Sequence, residues 1–461
     1  MDVRTLSYVE RACSGRLRGA VGGHLAVRRV CSDSRQAGPG DLFAAIPGER
    51  FDGHEFIPEV LARGVTAVLA QSERLPASLS ADAVIVEVED TRRALGRLAA
   101  AYRRDFDLPV VAVGGSNGKT TTKEMIASVL SRRFPVLWSE ASFNNDIGVP
   151  FTLLRMTSEH RAAVLELGTN HPGELEALVE MTRPRYGVVT SLGREHLEHF
   201  GSMDGVIEEE GALAARLPRD GTLFLNADSE GAEALARRAP CAVVRVGWEA
   251  GLDWRASDWR LAFEGTHFRL DDAPDGFEGD YFVPLLGRHQ VTNAMLALAV
   301  GRELGLTADQ ARAGLAACPT PKSRLAPTQH RGICILDDSY NANADSMIAG
   351  LRTLQQLPCA GRRVAVIGDM AELGDHTLAA HEEVGRVAGE LGIDCLVGLG
   401  RNAAATVESA IRAGTRVARG WSEAPEAIVF LKEYLKPGDV VLIKASRAAG
   451  LEKIAQLLKT A

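Results

Sequence analysis

The stretch from residue 110 to residue 124 decides most of what this chain can become. Val110-Val-Ala-Val-Gly-Gly-Ser-Asn-Gly-Lys-Thr-Thr-Thr-Lys-Glu runs from an apolar segment, through a glycine-rich turn, into a helix-forming segment that continues to Leu130. A strand that breaks at glycines and restarts as a helix aims the free N–H groups of that helix's first turn at one point, where an anion is stabilised. Gly118-Lys119-Thr120 supplies an ammonium for β/γ-phosphates and a hydroxyl for a divalent cation. The spacing departs from the usual phosphate loop, because Val113 stands where its first glycine belongs. The shorter set Gly115, Ser116, Asn117, Gly118, Lys119, Thr120 and Thr121 is the predicted triphosphate loop.

Such a loop implies a parallel sheet around it, and the chain supplies apolar runs at 110–114, 163–167, 187–191 and 222–225, followed by an Ala/Leu-rich helix over 288–303. Upstream, short β-like runs at 67–70 and 83–88 and a helix over 91–104 lead to a linker near Pro109. Downstream, Cys318-Pro-Thr-Pro marks a second boundary. Strands at 333–336, 364–367, 395–399 and 440–443 then alternate with helices near 347–354, 378–391, 423–435 and 451–458, a doubly wound pattern. The expectation is an α/β protein of three domains, 1–106, 107–318 and 319–461. The central one carries a phosphate-loop-type, mostly parallel sheet, and the last is Rossmann-like. A length of 461 residues agrees, at roughly 150 residues per domain.

Composition narrows the class. A net charge of −8 argues against a nucleic-acid-coating protein. No uninterrupted apolar stretch approaches the roughly 18 residues of a membrane span, and the arginine-bearing first 20 residues have no apolar core that would make a signal peptide. Seven scattered cysteines without a CxxC pair read as small buried hydrophobes in a reducing compartment. A cytoplasmic protein, monomeric, with no nucleic-acid partner, is expected.

Further candidate residues lie at strand ends facing the loop. Glu166 ends one strand and reads either as a Mg²⁺ ligand or as a solvated or capping residue. After another strand comes Gly193-Arg-Glu-His-Leu-Glu-His199, whose two histidines read either as ligands on one helical face or as an incidental pair.

Many short segments in order resemble the Mur ligases, ATP-dependent amide-forming enzymes of peptidoglycan precursor synthesis. They are Asp33-Ser-Arg35, Pro39-Gly-Asp-Leu-Phe43, Gly48-Glu-Arg-Phe-Asp-Gly-His54, Gly115–Thr121, Phe143-Asn-Asn-Asp-Ile-Gly-Val-Pro150 and Glu166-Leu-Gly-Thr-Asn-His-Pro-Gly-Glu174. His196-Leu-Glu, Gly287-Arg-His-Gln-Val-Thr-Asn293, Asp337-Asp-Ser-Tyr-Asn-Ala-Asn343, Gly368-Asp-Met-Ala-Glu-Leu-Gly374 and Lys444-Ala-Ser-Arg447 complete the set. The resemblance implies joining of D-alanyl-D-alanine to UDP-N-acetylmuramoyl-tripeptide through an acyl phosphate, with ATP and Mg²⁺. It implies catalytic roles for Lys119, Glu166, His196 and Glu210, adenosine contacts from Asn293, Arg324 and Asp338, and closure of the last domain over the cleft. Ser34, Arg35 and the loop 51–54 would hold the UDP-sugar end. Asn144, Asn145, Asn341, Asn343 and Arg447 are further substrate candidates. Thr120, Glu166, His196 and Glu210 would be the metal ligands. A sibling ligase adding a single amino acid, and a nucleotide-gated switch, are the competing readings.

One departure matters. Most relatives carry a CO₂-modified lysine where this chain has Glu210, 14 residues after His196. Glutamate supplies a carboxylate without modification, so Glu210, aided by Glu209, is expected to take over the second Mg²⁺ position. Ala344 and Ala445 replace a common proline and glycine.

Overall fold

The protein is described from a computed structural model that covers residues 1–19, 23–48, 50–77, 79–80, 82–274 and 276–460. Ala20, Glu49 of the 48–54 segment, and Ala461 lie outside the described residues. Three sheets follow one another along the chain. The first has five strands in the order Arg16–Arg18, Ile85–Val88, Ala67–Gln71, Asp41–Ala44, Arg29–Cys31, all parallel except the first.

The second has nine. Val136–Trp138, Ala162–Glu166, Val110–Gly114, Tyr186–Val189, Thr222–Asn226, Ala242–Gly247 and Trp254–Ala262 run parallel across the sheet, and Gly265–Asp272 and Gly279–Val283 extend it antiparallel. The central strands are buried on both faces, which is why they read as continuous apolar runs. Val136–Trp138, Ala242–Gly247 and the last three strands escaped the sequence reading. Trp254-Arg-Ala-Ser-Asp-Trp-Arg-Leu-Ala carries charges and is only half covered, so its alternation is weak.

The third sheet has six strands in the order Ala326–His330, Ile333–Asp338, Val440–Lys444, Arg363–Gly368, Cys395–Leu399, Val417–Trp421, parallel but for the first. Its edge strand Val417–Trp421 and the helix Ala403–Arg412 were also not anticipated; no residue of the strand is fully buried. The chain is therefore an α/β protein with the expected doubly wound last region.

The helix Thr91–Arg103 joins the first two regions. Its Leu95, Leu98 and Ala99 share one apolar core with Ala112 and Leu165 of the central strands. The Tyr102 hydroxyl donates to the Met156 carbonyl at 2.7 Å, and Arg103 Nε donates to the Thr182 carbonyl at 3.0 Å. From the central region the last region's core takes Leu286 and half-buried Leu261.

Candidate active site

The strand Val110–Gly114 delivers the loop and the helix Lys119–Leu130 leaves it. Gly115 and Gly118 have φ of +108° and +94°. A Cβ at Gly115 would meet Thr190 Oγ1 at 2.5 Å, and one at Gly118 would meet Asn293 Oδ1 at 2.9 Å, so both positions need glycine twice over. Neighbouring strand ends brace the loop. Ser116 N–H donates to the Ser191 carbonyl at 2.6 Å, and the Thr190 hydroxyl donates to the Asn117 carbonyl at 2.7 Å. Gly193 N–H donates to Ser116 Oγ at 2.9 Å.

Lys119 folds over the loop, its ammonium donating to the Gly115 and Ser116 carbonyls. Burial opposes its charge, but Glu195, Glu210 and Glu166 outweigh that and hold the ammonium above its ordinary range. Glu166 is buried at the end of Ala162–Glu166. Its Oε1 accepts from the Thr120 hydroxyl at 3.1 Å and from Asn144 Nδ2 at 2.9 Å, while Oε2 has no hydrogen-bond partner. A wholly buried ammonium stands behind it. Lys123 Nζ donates to the Ser139 and Ala141 carbonyls at 2.7 and 2.8 Å and lies 4.0 Å from Glu166 Oε2.

Two cavities open here, of about 570 and 330 Å³. Lys119, Thr120, Glu166, His196, Asn144 and Asn145 line the larger from the central region, and Arg324, Asn341, Asn343 and Arg447 from the last. The smaller lies between Gly118, Thr121 and Asn293 on one side and Asp338 and Lys444 on the other, with Arg324 shared by both. Arg324 stacks over the Tyr340 ring at 4.3 Å and reaches Thr120 Oγ1 at 3.4 Å. Asn343 caps the helix Ala344–Gln356 and donates from Nδ2 to Asn117 Oδ1 at 3.0 Å. Asp338 holds the buried Lys444 ammonium at 2.7 Å. Burial draws Lys444 below its ordinary range against that carboxylate's pull.

Several expectations change. His196 and His199 do not share a helical face. His196 precedes the short helix Leu197–Phe200 with φ +49°, whereas the His199 ring packs at a tilt against His171, centroids 4.3 Å apart. Glu209 does not assist Glu210. It caps the helix Glu174–Thr182, accepting from Gly173 and Leu175 N–H groups at 2.7 and 2.8 Å and from the Thr169 hydroxyl at 2.8 Å.

Glu210 lies beneath the loop rather than on the cavity lining, its Oε2 accepting from Gly115 N–H at 2.7 Å and its buried Oε1 unpartnered. Burial pushes its carboxyl up to about 7. In the first region Arg35 is tied to Asp33 at 2.8 Å, and Ser34 gives its carbonyl to Arg63. His54 is internal, held between Asp52 at 2.6 Å and Gln71 N–H at 2.9 Å, so of the 51–54 loop it is Phe51 that stands exposed. None of these four lines the two cavities.

The sequence reading missed Glu195, which lines the larger cavity with Oε1 3.6 Å from Lys119 Nζ. Its place one residue before His196, after a strand of the same sheet, was the available signal. Among the described residues no three His, Cys, Asp or Glu side chains converge in a group that could hold a metal ion.

Comparison with known proteins agrees along the whole chain. Residues 26–103 match the Mur ligase family catalytic domain, 113–301 the Mur ligase middle domain, and 323–447 the Mur ligase glutamate ligase domain. The UDP-N-acetylmuramoyl-tripeptide–D-alanyl-D-alanine ligase of Escherichia coli (strain K12) is 38% identical, covering 99% of this chain and 98% of its own. A crystal structure of MurF from Acinetobacter baumannii superposes with a TM-score of 0.91 at 31% identity over 100% of both chains. That of MurF ligase from Thermotoga maritima in complex with ADP gives 0.80 at 28% identity, over 94% of this chain and 97% of the other.

Proposed function

The chain belongs to the Mur ligase family, and from that premise we propose how its own residues perform the family's chemistry. It is an ATP-dependent ligase that joins D-alanyl-D-alanine to UDP-N-acetylmuramoyl-tripeptide, with the acyl phosphate of the tripeptide as intermediate. The observation that carries this reading is the larger cavity, where the loop, Glu166 and residues of the last region meet.

An anionic carboxylate must approach an anionic phosphoryl group, so cationic side chains have to cancel charge and fix geometry. Lys119 and Arg324 supply that charge from opposite walls of the cavity. The loop N–H groups and Thr121 hold the nucleotide phosphates, Asn293 reads the adenine, and Asp338 takes the ribose. Asn341, Asn343 and Arg447 hold the dipeptide, Asn144 and Asn145 the acyl donor. Ser34, Arg35 and the loop at Phe51 meet the UDP-sugar end. The divisions 1–106, 107–318 and 319–461 are the working domains of a cytoplasmic monomer. Among the described residues no helix is long and apolar enough to cross a membrane.

Mg²⁺ fits the donors present. The orphaned Oε2 of Glu166, the Thr120 hydroxyl and the His196 ring belong to residues lining one cavity and are hard or borderline donors, while Glu210 stands beneath the loop. When bound, Mg²⁺ neutralises phosphate charge during transfer. Glu210 replaces the modified lysine with a native carboxylate, so activity is independent of CO₂. Strong loss in CO₂-depleted buffer, restored by bicarbonate, would overturn that assignment. The function itself is tested by phosphate release. Release requiring both UDP-N-acetylmuramoyl-tripeptide and D-alanyl-D-alanine is expected. Release with neither would indicate a switch, and preference for a free amino acid a sibling ligase.

A further inference from the structure

His196 is oriented from across a domain seam. Its Nδ1 bonds the carboxylate of Glu372, which belongs to the loop after the strand Arg363–Gly368 of the last region. The Glu372 carbonyl accepts from Glu198 N–H at 3.2 Å, closing a second link at the same point. Both partners are non-glycine residues in the left-handed region, with φ of +49° and +61°. Such conformations persist where the surroundings over-determine them, and they gather at functional contacts. The ring's other nitrogen, Nε2, lies 4.0 Å from Glu195 Oε2, and both residues line the larger cavity.

A carboxylate on one imidazole nitrogen fixes the tautomer that leaves the other nitrogen's lone pair available to a cation. We propose that Glu372 is the positioning carboxylate of His196, delivered by the last domain, so that the divalent-cation site reaches full affinity only when that domain is seated. The inference rests on the reading of His196 as a cation ligand given above.

A clasp two residues away accounts for the seating. Arg194 donates from Nη2 to Asp345 Oδ1 at 2.7 Å, from its main-chain N–H to Asp345 Oδ2 at 2.8 Å, and from Nη1 to Glu383 at 2.6 Å. Asp345 stands in the first turn of Ala344–Gln356 and Glu383 on Thr377–Glu390, both in the last region. Gly193, immediately before the arginine, is bonded to Ser116 of the nucleotide loop. One short stretch thus carries the loop brace, the clasp and the candidate ligand in succession.

The test measures Mn²⁺ affinity of the full chain in the presence of ADP, by electron paramagnetic resonance, alongside small-angle scattering for compaction. Glu372→Ala is expected to weaken Mn²⁺ about 10–100-fold, with ADP affinity in cation-free buffer unchanged and Glu372→Gln recovering part of the loss. Arg194→Ala should loosen the particle and weaken Mn²⁺ by less, because the His196 partner is still present. A Glu372→Ala protein that binds Mn²⁺ like the wild type overturns the proposal. So does one whose loss merely equals that of Arg194→Ala at the same loss of compaction, which would make the pair a domain tie alone. His196→Ala separates the two readings. If it leaves Mn²⁺ affinity intact, the ligand assignment falls and this inference with it. If it abolishes binding while Glu372→Ala does not, only this inference falls.

Discussion

The central region meets its two neighbours through seams of different balance. Toward the N-terminal region the seam is a shared apolar core, with Leu95, Leu98 and Tyr102 packed against central residues such as Leu175, Leu178 and Met156. Toward the last region the apolar share is the insertion of Leu286 and Leu261, and ion pairs and polar contacts surround it: Arg194 with Asp345 and Glu383, His196 with Glu372, Asn343 with Asn117, and Arg324 with Thr120. Burial of apolar surface is non-directional and lost only on unfolding, whereas ion pairs near water exchange readily for hydration. The difference teaches where motion is affordable. On the proposed assignment, the end for the UDP-sugar is fixed to the loop by the larger apolar core, and the end that would close over ATP is held more by contacts that water can replace.

The sharpest way to break this comparison is a cut in the apolar seam. Tyr102→Ala should cost about 3–5 kcal/mol in denaturant unfolding, as large aromatic truncations in cores do, and a variant of near wild-type stability would show that the first seam is not cohesive. Arg324→Ala, on the polar side, should instead leave the unfolding midpoint nearly unchanged and lower kcat about 10²–10³-fold, the usual loss for a group that stabilises developing charge. A pure rise in KM would place Arg324 in binding alone.

The pH response sharpens the same contrast. Desolvation beside Asp338 and Lys444 holds the His289 imidazole down at about 4, so the fold accommodates the neutral ring. The unfolded chain then binds the extra proton first. Stability contributed here is full above about pH 6.5 and falls as pH drops toward 4. His289→Gln should flatten that part of the thermal-melting profile, and an unaltered profile would remove His289 from the account. The smallest effect belongs to the clasp. Arg194 and Asp345 are each about a third exposed, so their coupling in a double-mutant cycle should be below about 1 kcal/mol and should shrink as salt rises. A salt-independent coupling would mean that the seam is drier than its exposure indicates.

Much of this architecture was legible in the chain. The strands 110–114 and 395–399 fall where apolar runs ended at glycine or polar punctuation, and the loop from Gly115 to Thr121 formed where a strand met a helix. Charged half-buried strands such as Trp254–Ala262 were not legible, because one covered face leaves little alternation to read. At the site, Lys119, Thr120 and Glu166 converge as their strand ends required, while Ser34 and Arg35 lie apart from both cavities. Lys123 carried no local signal that set it apart from ordinary surface charges, whereas Glu195 stood one residue before His196 and Glu372 inside the segment Gly368–Gly374 without any sign that they would meet.

What the sequence determined by itself was therefore periodicity and punctuation: the number of layers, the loop's glycines, and which strand ends share a side of a sheet. These follow from local geometry, since a parallel strand must point its end where its neighbour's does. Tertiary structure alone decided which carboxylates were used up and which were left free. Glu209 and Glu210 are adjacent and chemically identical. One is consumed capping a helix, and the other is drawn under the nucleotide loop with an oxygen to spare. Burial and partner count belong to the assembled packing, and no run of neighbouring residues encodes them.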